Sequence, residues 1–207
     1  MGVLPKAVFF DFGGVLLRSE DESSRRAWAE RLGMDPAEMT ALLYNSELMQ
    51  QGMLGHIGVD EMWQGLGAEL GLDAKEALAL QADFFRGDRL NEELLDFARR
   101  LRPHYRLAIL SNAWNNAREI FTETLGLDEI FETMIISAEV GLMKPDPRIY
   151  HLALKRMGVA PPEAVFLDDL PENVEAARDV GLRAVLYRNN PQAIAEVQAQ
   201  LGLASDL

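Results

Sequence analysis

Five strand-like apolar runs recur along the chain, at residues 7–11, 106–111, 133–137, 164–168 and 183–187. Helical spacing occupies 92–101, 115–125, 147–157, 172–180 and 191–201. Strand alternating with helix predicts right-handed βαβ units and a parallel sheet. The punctuation agrees: Gly126, Gly158 and Gly181 follow their helices as stop signals, and Pro147 opens one as a first-turn proline. The expected fold class is α/β, a Rossmann-like parallel sheet flanked by helices.

One stretch breaks the alternation. Between the first strand and residue 91 the pattern shows no convincing buried strand, and helices are expected at 20–32, 36–45, 60–70 and 74–86. Asp35 with Glu38 and Asp73 with Glu76 both have capping-box spacing, an acidic cap and a glutamate three residues on. The stretch therefore reads as a compact helical insertion and not as a long loop. Leu17-Arg18-Ser19 and Gly87-Asp88 stand at its ends as hinges. The predicted division is a core of residues 1–17 and 88–207 with an all-helical cap of residues 18–87.

Composition narrows the function. The formal net charge of −13, with a pI near 4.7, repels nucleic acid and anionic membranes, so neither is expected as a partner. The same field repels a phosphorylated substrate at long range. Phosphate chemistry here must therefore rely on local cations, a metal and a lysine. The chain has no cysteine, which excludes disulfides, thiolate metal sites and cysteine nucleophiles. No apolar run approaches the roughly 20 residues needed to span a bilayer. The first six residues lead directly into a core strand without a signal-peptide pattern, so a cytoplasmic location is expected.

The candidate chemistry lies at strand ends. Asp11 closes the first apolar run and the chain turns at once through Phe12-Gly13-Gly14. Open α/β sheets place their ligand crevice at such carboxyl ends. Asp11 is ionised at neutral pH without an activating base, which suits a nucleophile. Ser111-Asn112 follows the second run and can hold a phosphate oxygen through the hydroxyl and backbone N–H groups. Lys144 lies in a loop stiffened by Pro145 and can neutralise phosphoryl charge. Asp168-Asp169 ends the fourth run. Two adjacent carboxylates there are costly unless a cation compensates them, and with Asp11 they make a hard oxygen site suited to Mg²⁺. Asn173 is placed to orient that cluster. Singly, each of these residues has a plainer reading as a helix cap or a solvated charge; their order and shared location are what point to an enzyme.

Asp11-Phe12-Gly13-Gly14-Val15, Ser111-Asn112, Lys144-Pro145 and Asp168-Asp169 with Asn173 together resemble the four motifs of the haloacid dehalogenase-like (HAD) hydrolase superfamily. The resemblance covers the whole chain, the insertion being similar to that superfamily's type 1 cap. It is greatest for the branch of sugar-phosphate phosphatases and the phosphatase domain of soluble epoxide hydrolases. It implies a Mg²⁺-dependent phosphatase of a small phosphorylated metabolite, with a sugar phosphate as one candidate. Asp11 would form an aspartyl-phosphate. Ser111, Asn112 and Lys144 would bind the phosphoryl group, with Lys144 also counted as catalytic. Asp11, the Gly13 carbonyl and Asp169 would hold the metal, and Asp168 would stand behind them, farther from the ion. A monomer or homodimer is expected.

There is one departure. Most phosphatases of the superfamily carry a second aspartate two residues after the nucleophile as general acid and base, and that position here is Gly13. General acid–base catalysis is worth about 10²–10⁴-fold, so either activity is low, or the leaving group needs little protonation, or another residue supplies the proton. A haloacid dehalogenase, which also lacks that aspartate, is the alternative, but the acidic pair Asp168-Asp169 favours phosphorus chemistry. A receiver-like phosphate-binding protein has the acidic pair first and the nucleophile later, and needs no large insertion. A non-catalytic module is suggested by Gly13 alone. In the insertion, Trp28, Met49, Met53, Met62 and Trp63 read as core. His56, in a glycine-flanked turn, is the one residue there whose chemistry can reach a site.

Overall fold

The structure is a computed structural model that describes residues 3–203. Its sheet is five-stranded and parallel, built from β1 (Ala7–Phe10), β4 (Arg106–Ser111), β5 (Thr133–Ile136), β6 (Ala164–Asp168) and β7 (Arg183–Leu186), in the order β5-β4-β1-β6-β7. Two further short strands, β2 (Leu17–Ser19) and β3 (Asp88–Leu90), form a separate antiparallel ribbon. The helices are α1 (Ser23–Leu32), α2 (Pro36–Asn45), α3 (Glu47–Met53), α4 (Val59–Glu69), α5 (Ala74–Phe84), α6 (Glu92–Leu101), α7 (Ala117–Glu119), α8 (Ser137–Val140), α9 (Pro147–Met157), α10 (Pro171–Asp179) and α11 (Asn190–Leu201).

The apolar runs are continuous because the sheet is covered on both faces. Val8, Phe10, Ile109, Val165 and Leu167 point into one cluster with α6 and α11, while Ala7, Phe9, Ala108, Leu110 and Phe166 point into another with α9 and α10. Successive strand residues face opposite sides, so a strand covered on both must be apolar throughout. The central strand has β4 on one side and β6 on the other. The chain passes from β1 outward through β4 and β5, then crosses to β6 and β7. The carboxyl ends of β1 and β6 therefore flank the point where the strand order reverses, the usual crevice of such sheets.

Helices α1–α5 enclose a third cluster, with Trp28, Met39, Leu43, Met49, Met62, Trp63, Leu80 and Phe84 buried within it. The pattern along the sequence misses α3. Its Gln50, Gln51 and Gly52 blur the apolar period, and its start depends on the Ser46 hydroxyl accepting from Met49 N–H at 3.1 Å. Asp73 and Glu76 form the full reciprocal capping box. Asp35 accepts from Ala37 and Glu38 N–H groups, without a returning bond from Glu38 among the described residues.

The two segments read as hinges are the strands of the ribbon: Leu17 pairs with Leu90 and Ser19 with Asp88. The boundaries drawn at 17/18 and 87/88 thus fall inside one strand and at the start of the other. A Cβ on Gly87 would stand 1.7 Å from the Asp21 carbonyl oxygen, so only glycine lets the two chains approach there. The helix expected over 115–125 begins as α7 but widens into a π-helical turn at Ile120–Thr124, with Phe121 stacked 4.2 Å from Phe12. No helix among the described residues is long and apolar enough to cross a membrane.

Candidate active site

The ends of β1 and β6 bring the acidic residues together. Carboxylate oxygens of Asp11, Asp168 and Asp169 all lie within 4.8 Å of one another. Asp11 follows β1 directly and its N–H still donates to the Leu167 carbonyl at 2.9 Å, so the sheet ladder holds its backbone. Asp11 Oδ1 accepts from Phe12 N–H at 2.7 Å and from Lys144 Nζ at 2.8 Å. Oδ2 is the oxygen left without a protein partner among the described residues.

Lys144 is 2% exposed and bridges two strand ends. Its Nζ donates to Asp168 Oδ2 at 2.6 Å as well as to Asp11, and stands 5.4 Å from the centre of the Phe166 ring. Lysine is almost never buried unless paired, and here both partners are carboxylates. Asp168, fully buried, is saturated: Oδ1 accepts from Leu170 N–H and Asn173 Nδ2, and Oδ2 from Lys144 and Asn173 Nδ2. Asn173 is in turn backed by the Tyr150 hydroxyl, which donates to its carbonyl at 2.9 Å. Asp169 is only partly buried and leans over the glycine turn. A Cβ on Gly14 would lie 2.2 Å from Asp169 Oδ2, so the close approach of that carboxylate requires glycine there.

The Asn112 side-chain amide is turned to the loop that carries Lys144: its Nδ2 donates to the Lys144 carbonyl at 2.9 Å and its Oδ1 accepts from Lys144 N–H at 2.8 Å. Both ends of the amide are thereby engaged in clamping the lysine's own peptide, across 32 residues of sequence. Nothing local in the sequence marks that pairing. Ser111, buried at the end of β4, lies one residue before this clamp. His56 is exposed in the turn after α3, and among the described residues no hydrogen bond ties it to the acidic cluster.

The electrostatics are those of a site short of positive charge. Burial pushes the Asp11 carboxyl up to about 8; the Lys144 ammonium opposes that rise, while Asp168 and Asp169 add to it. Asp169 is likewise raised, by burial first and then by Asp168. Burial works against the Lys144 charge, but Asp11 and Asp168 outweigh it and its pKa is raised. Without a metal Asp11 therefore keeps its proton at neutral pH, against the ionised state expected of an ordinary aspartate, because ionising all three carboxylates against one lysine would leave two negative charges uncompensated. That deficit, and an all-oxygen donor set, fit a hard divalent cation. Asp11 and Asp169 are the members with oxygens to offer it, because those of Asp168 are already committed.

The haloacid dehalogenase-like hydrolase family matches residues 5–181. Bifunctional epoxide hydrolase 2 of Mus musculus is 27% identical over 93% of this chain, which spans only 38% of that protein's length. D-ribitol-5-phosphate phosphatase of Bacteroides thetaiotaomicron is 28% identical, the match covering 89% of this chain and 92% of the phosphatase. Among solved structures, a HAD family enzyme of Bacteroides thetaiotaomicron in complex with magnesium and inorganic phosphate superposes with a TM-score of 0.72 at 22% identity, covering 89% of this chain and 94% of that one. That last likeness is one of fold.

Proposed function

This chain belongs to the haloacid dehalogenase-like hydrolases, and we propose that within the family it is a phosphatase of small phosphomonoesters that works through Asp11. The observation that carries this reading is the buried Lys144 bridging Asp11 and Asp168 with Asp169 alongside. One fixed cation and a net acidic deficit suit a phosphoryl dianion brought in together with a divalent metal.

Asp11 attacks phosphorus: a bond forms between its carboxylate oxygen and phosphorus as the bond to the ester oxygen breaks. Water then attacks the aspartyl-phosphate, releasing inorganic phosphate and restoring the carboxylate. Lys144 neutralises charge on the transferring group, which is where catalysis of phosphoryl transfer chiefly lies. Ser111 lines the same strand edge and holds a phosphoryl oxygen. Asp168 keeps Lys144 charged and aimed, and Asn112 holds its backbone still. Mg²⁺ would be held by Asp11, Asp169 and the Gly13 carbonyl, and when bound supplies charge neutralisation for the phosphate oxygens.

Position 13 carries no acid, so the leaving oxygen takes its proton from solvent. The ribitol phosphatase relative supports a small phosphorylated alcohol as the substrate class. Residues 18–87 form the cap that covers the site. The test is hydrolysis of p-nitrophenyl phosphate with Mg²⁺, with EDTA, and by Asp11→Asn. Metal-dependent turnover lost in the variant is expected. Full turnover in EDTA would overturn the metal requirement, and no turnover with Mg²⁺ would overturn the phosphatase reading.

A further inference from the structure

Outside the acidic cluster the molecule holds a second buried polar network, built on two asparagines 99 residues apart. Asn91 is buried between β3 and α6, one residue past the Leu17–Leu90 pair of the ribbon. Its Nδ2 donates to the Val15 carbonyl at 3.0 Å and to Asn190 Oδ1 at 2.7 Å. Its Oδ1 accepts from Asn190 Nδ2 at 2.8 Å and from Leu94 N–H at 3.4 Å. The two side-chain amides thus pair reciprocally. The Tyr187 hydroxyl joins them, donating to Asn190 Oδ1 at 2.8 Å and accepting from Asn91 Nδ2 at 3.2 Å. Both hydrogens of the Asn91 amide and both lone pairs of its oxygen are engaged. A buried network satisfied in this way makes the backbone it grips rigid.

What it grips is the backbone around the acidic cluster. The turn after Asp11 is held at its near end by the sheet, where Asp11 N–H donates to the Leu167 carbonyl. At its far end the Asn91 side chain takes the Val15 carbonyl, and the Asn91 N–H takes the Leu16 carbonyl at 2.8 Å. Between these anchors Gly13 and Gly14 are exposed, and no atom lies within 4 Å of where a Gly13 Cβ would stand. Bonds from Gly14 N–H to the Leu17 carbonyl and from Leu17 N–H to the Phe12 carbonyl, both 2.8 Å, shape the turn without tying it to another element of the core. Its place is therefore set by its two ends. The network also reaches the opposite side of the cluster: Tyr187 N–H donates to the Asp168 carbonyl at 2.8 Å, at the end of β6 and one residue before Asp169. One set of side chains thus holds the glycine turn relative to the Asp168-Asp169 peptide.

We propose that Asn91 is a positioning residue of the metal site: paired with Asn190, it holds the Gly13 turn in place against Asp169 and so sets the affinity for Mg²⁺. The proposal rests on the reading of Asp11, the Gly13 carbonyl and Asp169 as the groups that hold the ion. Asn91 touches no reacting atom. Groups that orient metal ligands from outside typically change metal affinity or activity by about 10–100-fold when removed.

The test is the Mg²⁺ dissociation constant of the folded protein, measured by titration calorimetry with the metal alone, beside the melting temperature. Asn91→Ala should weaken Mg²⁺ binding by about 10–100-fold, and a raised Mg²⁺ concentration should restore kcat for p-nitrophenyl phosphate. Asn190→Ala keeps the Asn91 bond to Val15 and should weaken binding less. Asn190 is half-buried, so its variant carries the test where Asn91→Ala does not fold. Leu201→Ala removes packing at the end of α11 and serves as the control: it should lower the melting temperature at unchanged Mg²⁺ affinity. Native Mg²⁺ affinity in the asparagine variants that fold, whatever their melting temperature, overturns the proposal and leaves the phosphatase reading standing. Weakened Mg²⁺ binding in these variants, with no ester cleaved even by the native chain, supports the proposal and overturns the phosphatase reading. A native chain that binds no Mg²⁺ overturns the proposal and the metal requirement together.

Discussion

The crevice between β1 and β6 and the helical insertion are built on opposite plans. In the crevice, polar groups are buried and answer one another: Asp168 has both oxygens taken, Lys144 has two carboxylates, and Asn112 spends its whole amide on one peptide. In the insertion, α1–α5 surround a small cluster of their own, and Leu42, Tyr44 and Leu78 remain largely exposed. The first arrangement is rigid because each removal strands a buried partner, which costs several kcal/mol in a typical buried ion pair. The second tolerates change because exposed positions rarely shift stability by more than about 0.5 kcal/mol. On the proposed reading, chemistry sits on the sheet ends and substrate choice falls to the adaptable side.

The strongest way to sharpen this contrast is to remove the nucleophile. Asp11→Asn should lower kcat by at least about 10⁴-fold while circular dichroism and melting temperature show an intact fold. Several per cent of residual activity, with deamidation excluded by mass spectrometry, would sink the assignment.

Next comes position 13. Native turnover should depend steeply on leaving-group pKa, because the ester oxygen departs without an acid. A side chain there meets nothing within 4 Å, and Gly13 does not have a positive φ, so Gly13→Asp is sterically admissible. The variant should narrow the gap between aryl and alkyl phosphates by up to about 10²-fold. The plot of log(kcat/KM) against leaving-group pKa for both forms decides it, and a flat native line would place an acid elsewhere.

Asn112 tests positioning within the crevice. Asn112→Ala should free the Lys144 peptide and reduce kcat by about 10–100-fold, the scale of a small misplacement of a catalytic group. The substitution should move kcat more than KM and leave the Mg²⁺ dependence intact. Loss of stability with unchanged kcat per folded molecule would assign Asn112 a purely structural part.

The smallest expected effect separates the two adjacent aspartates. Mg²⁺ should raise the melting temperature by preferential binding to the native state, and more at pH 8 than at pH 5. In the metal-free protein Asp11 is raised from its ordinary 3.8 to about 8, so the native state holds that proton longer than the unfolded chain does. Its contribution to stability therefore falls as pH climbs through that window, and a bound cation offsets the fall. Asp169→Asn should abolish the Mg²⁺ shift, whereas Asp168→Asn should destabilise the protein with or without metal. Equal behaviour of the two variants in calorimetry would contradict the division of roles read from their hydrogen bonds.

The five apolar runs, the order of Asp11, Ser111, Lys144 and Asp168-Asp169, and the break between the first strand and residue 91 were all legible in the amino-acid sequence. Each is a local property: a strand covered on both faces must be apolar along its length, and turn glycines must follow a residue at a strand end. What the tertiary structure alone decided is which of these groups touch. Asn112 and Lys144 meet because β4 and the loop after α8 share one sheet edge, and no periodicity in the chain encodes a contact across 32 residues. Asp168 and Asp169 are chemically identical neighbours, yet consecutive residues at a strand end face opposite ways. One turns inward to Lys144 and Asn173, and the other leans out over Gly14. The helix α3 and the ribbon of β2 and β3 escaped the pattern for the same reason, since a short element held by its neighbours needs little propensity of its own.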